Sequence, residues 1–215
     1  RHFSQFEEQH KAFSFVQILI TRQNVRVYQE VREKLDILRN WKEESLDKLV
    51  NIIDGFSSLC LTKRREVTSV VPEHQRILHN LSAHKIILDF LNLPGKRHIP
   101  ELKPLYTVCF NFLANFCRDN KENQMSVFKH LGIIMKYLGR DVDAAYTLIE
   151  LFRDNRAICS QISESQLRTV VNAIVEGCRF PRFIEILENL CIVNGRPLRR
   201  CQNMVLKLMM EKQEE

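Results

Sequence analysis

The chain has 215 residues, 45% hydrophobic and 27% charged, with only 6 glycines and 6 prolines, a globular mixture that excludes long irregular regions. The net charge of +6 is modestly basic, with acidic residues interleaved throughout. No apolar run approaches the roughly 18 residues of a membrane span, and no secretory signal segment is present.

Nearly every segment repeats its apolar residues with helical period. From Phe3 to Ile20 the apolar side carries Phe6, Phe13, Val16 and Ile20. From Asn24 to Leu38 the expected stripe is Val25, Tyr28, Leu35 and Leu38. Trp41 to Ser45 is a charged junction. Leu46 to Leu61 follows as a helix with Leu49, Ile52, Ile53, Phe56 and Leu59 inward. Pro72 suits a first helical turn, and the helix after it runs through Ile77, Leu78, Leu81, Ile86, Ile87, Phe90 and Leu91 to Pro94-Gly95. Pro100 and Pro104 open Leu105 to Cys117, and Lys121 to Leu138 is closed by Gly139. Asp141 or Asp143 is expected to cap Ala144 to Arg153. Ser163 with Gln166 forms a capping box for Leu167 to Val175, which ends at Gly177. Pro181 starts Phe183 to Val193, and Pro197 starts the last helix, to about Met210. No strand is expected; Val70-Val71 is too short.

A phrase recurs at three of these helix ends: Phe116-Cys117-Arg118-Asp119-Asn120, Leu151-Phe152-Arg153-Asp154-Asn155 and Leu190-Cys191-Ile192-Val193-Asn194. The closing asparagines stand 35 and 39 residues apart, and a degenerate copy, Leu59-Cys60-Leu61-Thr62-Lys63, lies upstream. A period near 40 with an apolar helix before each phrase is the pattern of stacked helical repeats. The expected fold is all-α, an armadillo-like solenoid of about ten helices. Residues 1–41 would form a leading helical pair, 42–70 a junction with a linking helix, and 71–215 the repeat domain. The recurring asparagines are expected to take the left-handed conformation just past each helix, and their amides could bridge the turn.

The tests for chemistry find no catalytic, cofactor or metal residue. His74, His79 and His84 stand five apart, which rotates about 140° per step on a continuous helix, so they should point apart and share no ion. The segment Asp119 to Gln124 lacks the glycine and alternating acids of a calcium loop. The glycines stand singly, so no phosphate-cradling loop exists. The 7 cysteines contain no C-x-x-C, and Cys109, Cys117, Cys159, Cys178 and Cys191 sit among apolar neighbours, as buried thiols in a reducing compartment do. The clusters Lys63-Arg64-Arg65, Lys96-Arg97 and Arg196 with Arg199 and Arg200 read first as solvated loops or helix-dipole partners, and second as a patch for phosphate or an acidic partner. Met204, Met209 and Met210 are expected in the core or in a contact between repeats. Tyr28, Tyr106, Tyr137 and Tyr146 do not recur at one phase, which argues against a repeat-based RNA platform.

Several stretches together resemble the central cytosolic homology domain of inositol trisphosphate receptors. They are Arg1 to Gln5 with Ala12-Phe13 and Val16 to Leu19; Ala83 to Leu91 with Leu93-Pro94; Asn111 to Cys117 with Asn123-Gln124 and Lys129 to Leu131; Cys159 with Glu164; and Arg199 to Val205. Cys191 to Gly195 is also similar to ryanodine receptors. The resemblance implies a solenoid in a homotetrameric, ligand-gated calcium-release channel, on the cytosolic face of the endoplasmic reticulum membrane. It implies contacts with neighbouring domains of the same channel, and inositol trisphosphate and calcium bound elsewhere in the parent chain. No nucleic acid and no membrane contact by this segment are implied. The family carries a long polar insert where only Lys42 to Leu46 stands here, so the insert is short or residues are missing from that place. The alternative is a non-channel scaffold that holds a protein or peptide.

Overall fold

The computed structural model describes residues 22–64, 67–93, 100–140, 142–175 and 181–214. The expected leader helix Phe3 to Ile20, Pro94-Gly95, Lys96-Arg97, Asp141, Gly177 and Cys178 lie outside them. The described residues form twelve α-helices: α1 (Arg22–Arg39), α2 (Leu46–Leu59), α3 (Pro72–Asn80), α4 (Ala83–Leu91), α5 (Lys103–Cys117), α6 (Lys121–Phe128), α7 (Leu131–Met135), α8 (Ala144–Phe152), α9 (Arg156–Cys159), α10 (Glu164–Val175), α11 (Pro181–Cys191) and α12 (Arg199–Glu214). Helix α2 packs on α5, α5 on α8, and α8 on α11, so one long helix per repeat builds a central stack. The shorter helices flank it, with α4 against α5, α7 against α8, and α10 against α11 and α12. One continuous apolar core runs from Val27 in α1 to Leu208 in α12, the shared seam of an all-α solenoid.

Ser45, read from sequence only as the end of a charged junction, caps α2, its hydroxyl accepting from the Lys48 amide. Two sequence signals act as expected. Gly139 takes a positive φ of +77, although α7 itself ends at Met135. Ser163 and Gln166 form the reciprocal box at α10, at 2.9 and 3.2 Å.

Other expectations are corrected. The expected continuous helix from Pro72 breaks at Ser82, which is left-handed at φ 58 and separates α3 from α4. Lys121 to Leu138 likewise divides at Lys129-His130 into α6 and α7. The first helix buries Val27, Val31, Leu35 and Leu38, while Val25 is exposed and Tyr28 half-buried. The stripe was offset because its amino-terminal half offers apolar residues at two phases. Strands do form. β1 (Leu61–Arg64) pairs antiparallel with β2 (Val67–Val70), and β3 (Ile192–Val193) with β4 (Arg196–Pro197). Helix α2 therefore ends at Leu59, short of Leu61. In β2, Val67 to Val70 is rich in β-branched residues but mostly exposed, so no apolar alternation marked it. Asp143 stands before α8 but does not cap it; its φ is +59, and its carboxylate instead pairs with Arg182. Met204 packs on the core, whereas Met209 and Met210 are exposed.

Candidate functional site

The chemistry of this fold concentrates where one repeat meets the next. Each short helix that follows a recurrent phrase begins at an N-cap, and the residue four positions on reaches forward. From α3, whose N-cap is Val71, Gln75 donates its amide to the carbonyls of Asn115 and Arg118, both at 2.9 Å. These are among the carbonyls that α5 leaves unpaired at its end. Asn120 completes the lock by donating to the Gln75 carbonyl at 3.1 Å while its own oxygen accepts from the Asn123 amide at 3.1 Å. One repeat later the pattern returns. Gln124, four beyond the Asn120 N-cap, donates to the carbonyls of Glu150 (2.8 Å) and Arg153 (3.1 Å) at the end of α8. Asn155 donates to the Gln124 carbonyl at 2.8 Å and caps α9 by accepting from Ile158. Gln75, Gln124 and Asn155 are all at least 97% buried, so little water competes for the bonds of these three side chains.

The asparagine expectation is thereby half corrected. Asp119 and Asp154 are the left-handed residues, at φ 52 and 50, while Asn120, extended, and Asn155, at φ −112, are the N-caps of the following helices. Only Asn194 is itself left-handed, at φ 51. The expected bridging of the turn is correct for the first two.

A charge ladder runs beside the locks. Glu150, 2% exposed, meets Arg118 at 3.2 Å and Arg153 at 3.3 Å, and Arg153 reaches on to Glu185 at 3.3 Å. Tyr146 lies between the guanidinium groups of Arg118 and Arg182, 5.9 and 5.8 Å from its ring centre, and its hydroxyl accepts from Arg118.

The histidines behave differently from expectation. The break at Ser82 turns α4 back, so the His79 and His84 rings stack 5.4 Å apart and 10° from parallel. The column continues from His84 through Phe116 to Phe112 and Phe56. The expected divergence assumed one continuous helix. His74 remains apart, its Nδ1 2.9 Å from the Leu59 carbonyl. Among the described residues no group of three His, Cys, Asp or Glu gathers as a metal site.

Burial, with smaller effects of His79, Lys85 and His130, lowers the His84 pKa from 6.5 to about 4, and its buried Nδ1 lacks a hydrogen-bond partner. Folding therefore keeps His84 neutral. Above pH 6.5 this has no effect on stability; below it the unfolded chain takes up a proton that the folded chain refuses. Stability should fall by about 2 kcal/mol between pH 7 and pH 5 through this group alone. His84→Phe keeps the stacked ring, and urea unfolding at the two pH values should show that part of the slope removed.

The cysteines Cys60, Cys109, Cys117, Cys159 and Cys201 are buried and free. Burial pushes the Cys60 and Cys159 thiols up to about 12 and holds Cys117 well above its ordinary value, which leaves them protonated and inert. Of the basic clusters, Arg200 is engaged, donating to the Ser160 and Ile162 carbonyls at 3.0 Å, while Arg196 and Arg199 face solvent.

The junction contacts that sequence reasoning missed are those of Gln75, Gln124, Arg118, Glu150 and Arg153. A signal existed: a glutamine four beyond an N-cap, twice, and Arg-Asp-Asn twice at a spacing of 35. What each glutamine touches depends on the next repeat, which local periodicity does not report.

The RIH domain model of the ryanodine and inositol trisphosphate receptor family matches residues 46–215. Over 141 residues, 61% of this chain, the sequence is 28% identical to the inositol 1,4,5-trisphosphate receptor itr-1 of Caenorhabditis elegans. Over 182 residues, 80% of this chain, it is 24% identical to the inositol 1,4,5-trisphosphate receptor-like protein A of Dictyostelium discoideum. These stretches span only 5% and 6% of the two relatives. No helix among the described residues is long and apolar enough to cross a membrane.

Proposed function

The chain belongs to the RIH domain family of the inositol trisphosphate and ryanodine receptors, and from that premise we propose that it is a regulatory solenoid of an intracellular, ligand-gated calcium-release channel. Residues 71–215 would be its repeat homology domain, 1–41 a leading helical pair and 42–70 a junction. The solenoid would lie on the cytosolic face of the endoplasmic reticulum membrane in a homotetramer, touching neighbouring domains and neither nucleic acid nor lipid. It would perform no reaction. Inositol trisphosphate and calcium would bind elsewhere in the parent chain, and this segment would pass the resulting motion towards the pore.

The observation that carries this reading is the repeated lock. Gln75 and Gln124 tie two successive repeats to the carbonyl end of the next, so a rotation imposed within that stretch is handed on instead of being absorbed by sliding. Apolar packing alone is non-directional and would transmit less.

The test is to delete residues 46–215 from the parent channel and measure inositol trisphosphate binding and ligand-evoked calcium flux in the same preparation. Flux should be lost while binding stays measurable. Loss of affinity with normal gating would contradict the proposal.

A further inference from the structure

The lock fails at the third junction, where α9 meets α11. Cys159 stands four beyond the Asn155 N-cap, the place held by Gln75 and Gln124 in the two earlier junctions. Asn189 stands five before Asn194, as Asn115 and Glu150 stand before Asn120 and Asn155. The Cys159 thiol reaches the Asn189 carbonyl at 3.6 Å and shares itself with the Phe152 carbonyl at 3.4 Å. A thiol is a weak donor with one proton, where the amide supplied two donors and an acceptor. Asn194, turned left-handed, contributes only its backbone N–H, which Asp154 accepts at 2.8 Å.

The substitutes are of lower quality. The Arg200 bonds to Ser160 and Ile162 and the Asp154 bond to Asn194 each involve an exposed side chain, open to competition from water. Cys201 adds a thiol bond to the Cys159 carbonyl at 3.3 Å, and Gln202 reaches the Cys191 carbonyl at 3.4 Å. The charge ladder weakens in the same place. Arg118 meets a Glu150 that is 2% exposed, whereas Arg153 meets a Glu185 that is 44% exposed, the kind of pair that contributes little. The apolar seam continues through Phe183, Ile186 and Leu190. Continuous packing with poor directional bonding permits rotation without separation.

We propose that the solenoid hinges at this third junction, with α10, α11 and α12 moving as one body against a stiff unit of α3 to α9. The proposal concerns compliance and stands whether or not the chain serves a channel.

Native thiols report it. Cys109 and Cys117 are fully buried in α5 within the stiff unit, and Cys159 and Cys201 are fully buried at the hinge. The intact protein is treated with N-ethylmaleimide under native conditions, and labelling of each cysteine is followed by mass spectrometry. Cys159 and Cys201 should label at least ~10-fold faster than Cys109 and Cys117, because local opening precedes global unfolding. Arg200→Ala should speed the first pair further and leave the second pair unchanged. One common rate for all four thiols, or Cys117 labelling first, would overturn the hinge.

Discussion

The double variant Arg118→Met with Arg153→Met is expected to unfold with about 3–5 kcal/mol less stability than the wild type, measured by urea titration. Methionine keeps the aliphatic stem of each arginine and removes the guanidinium. Glu150, 2% exposed, is then left in α8 without its two cationic partners. A buried carboxylate cannot recover its water, so the desolvation cost stands without the attraction that offset it. Each single variant should cost less, since the other arginine remains. Adding Glu150→Gln to the double variant should restore most of the loss by removing the stranded charge. A double variant as stable as the wild type would mean that water reaches Glu150, contrary to its burial.

Phe116→Ala is expected to cost about 3–5 kcal/mol in the same assay. The ring is fully buried in α5 and touches Phe112 on one side and the stacked histidines on the other, at 5.5, 5.3 and 6.3 Å. It therefore joins three helices, and its removal leaves a cavity among the rings it stacked on. Ile184→Ala, at a site 67% exposed, should change stability by less than about 0.5 kcal/mol. Equal effects at the two sites would place Phe116 outside the seam.

The repeat architecture was legible because it rests on signals that act locally. The inward residues Leu49, Ile52, Ile53 and Phe56 of α2 follow from helical period alone. The Ser163–Gln166 box needs only four consecutive residues. The break at Ser82 was not legible. Leu81 and Ala83 continue the apolar pattern across it, and a serine at positive φ has no strong sequence mark. The β1–β2 pair was missed because the run from Val67 to Val70, mostly exposed, obeys no alternating burial pattern. The asparagines were found by their spacing, but their role was shifted by one residue, since either Asp119 or Asn120 could have occupied the left-handed position. The site was the least legible part. Gln75 binds carbonyls 40 and 43 residues away, and Gln124 binds carbonyls 26 and 29 residues away, so each glutamine acquires its meaning only after the repeats have stacked.

That neighbouring repeats are fastened by paired amides, beyond sharing an apolar surface, is tested most directly by a double-mutant cycle. Gln124→Leu, Asn155→Leu and the combined variant would be unfolded in urea beside the wild type. The Nδ2–Oε1 bond at 2.8 Å is buried and joins the two side chains directly, so the two losses should fall short of additivity by about 1–3 kcal/mol. Losses that add within about 0.3–0.5 kcal/mol would show that the two amides act independently, and the junction would then be held by packing alone.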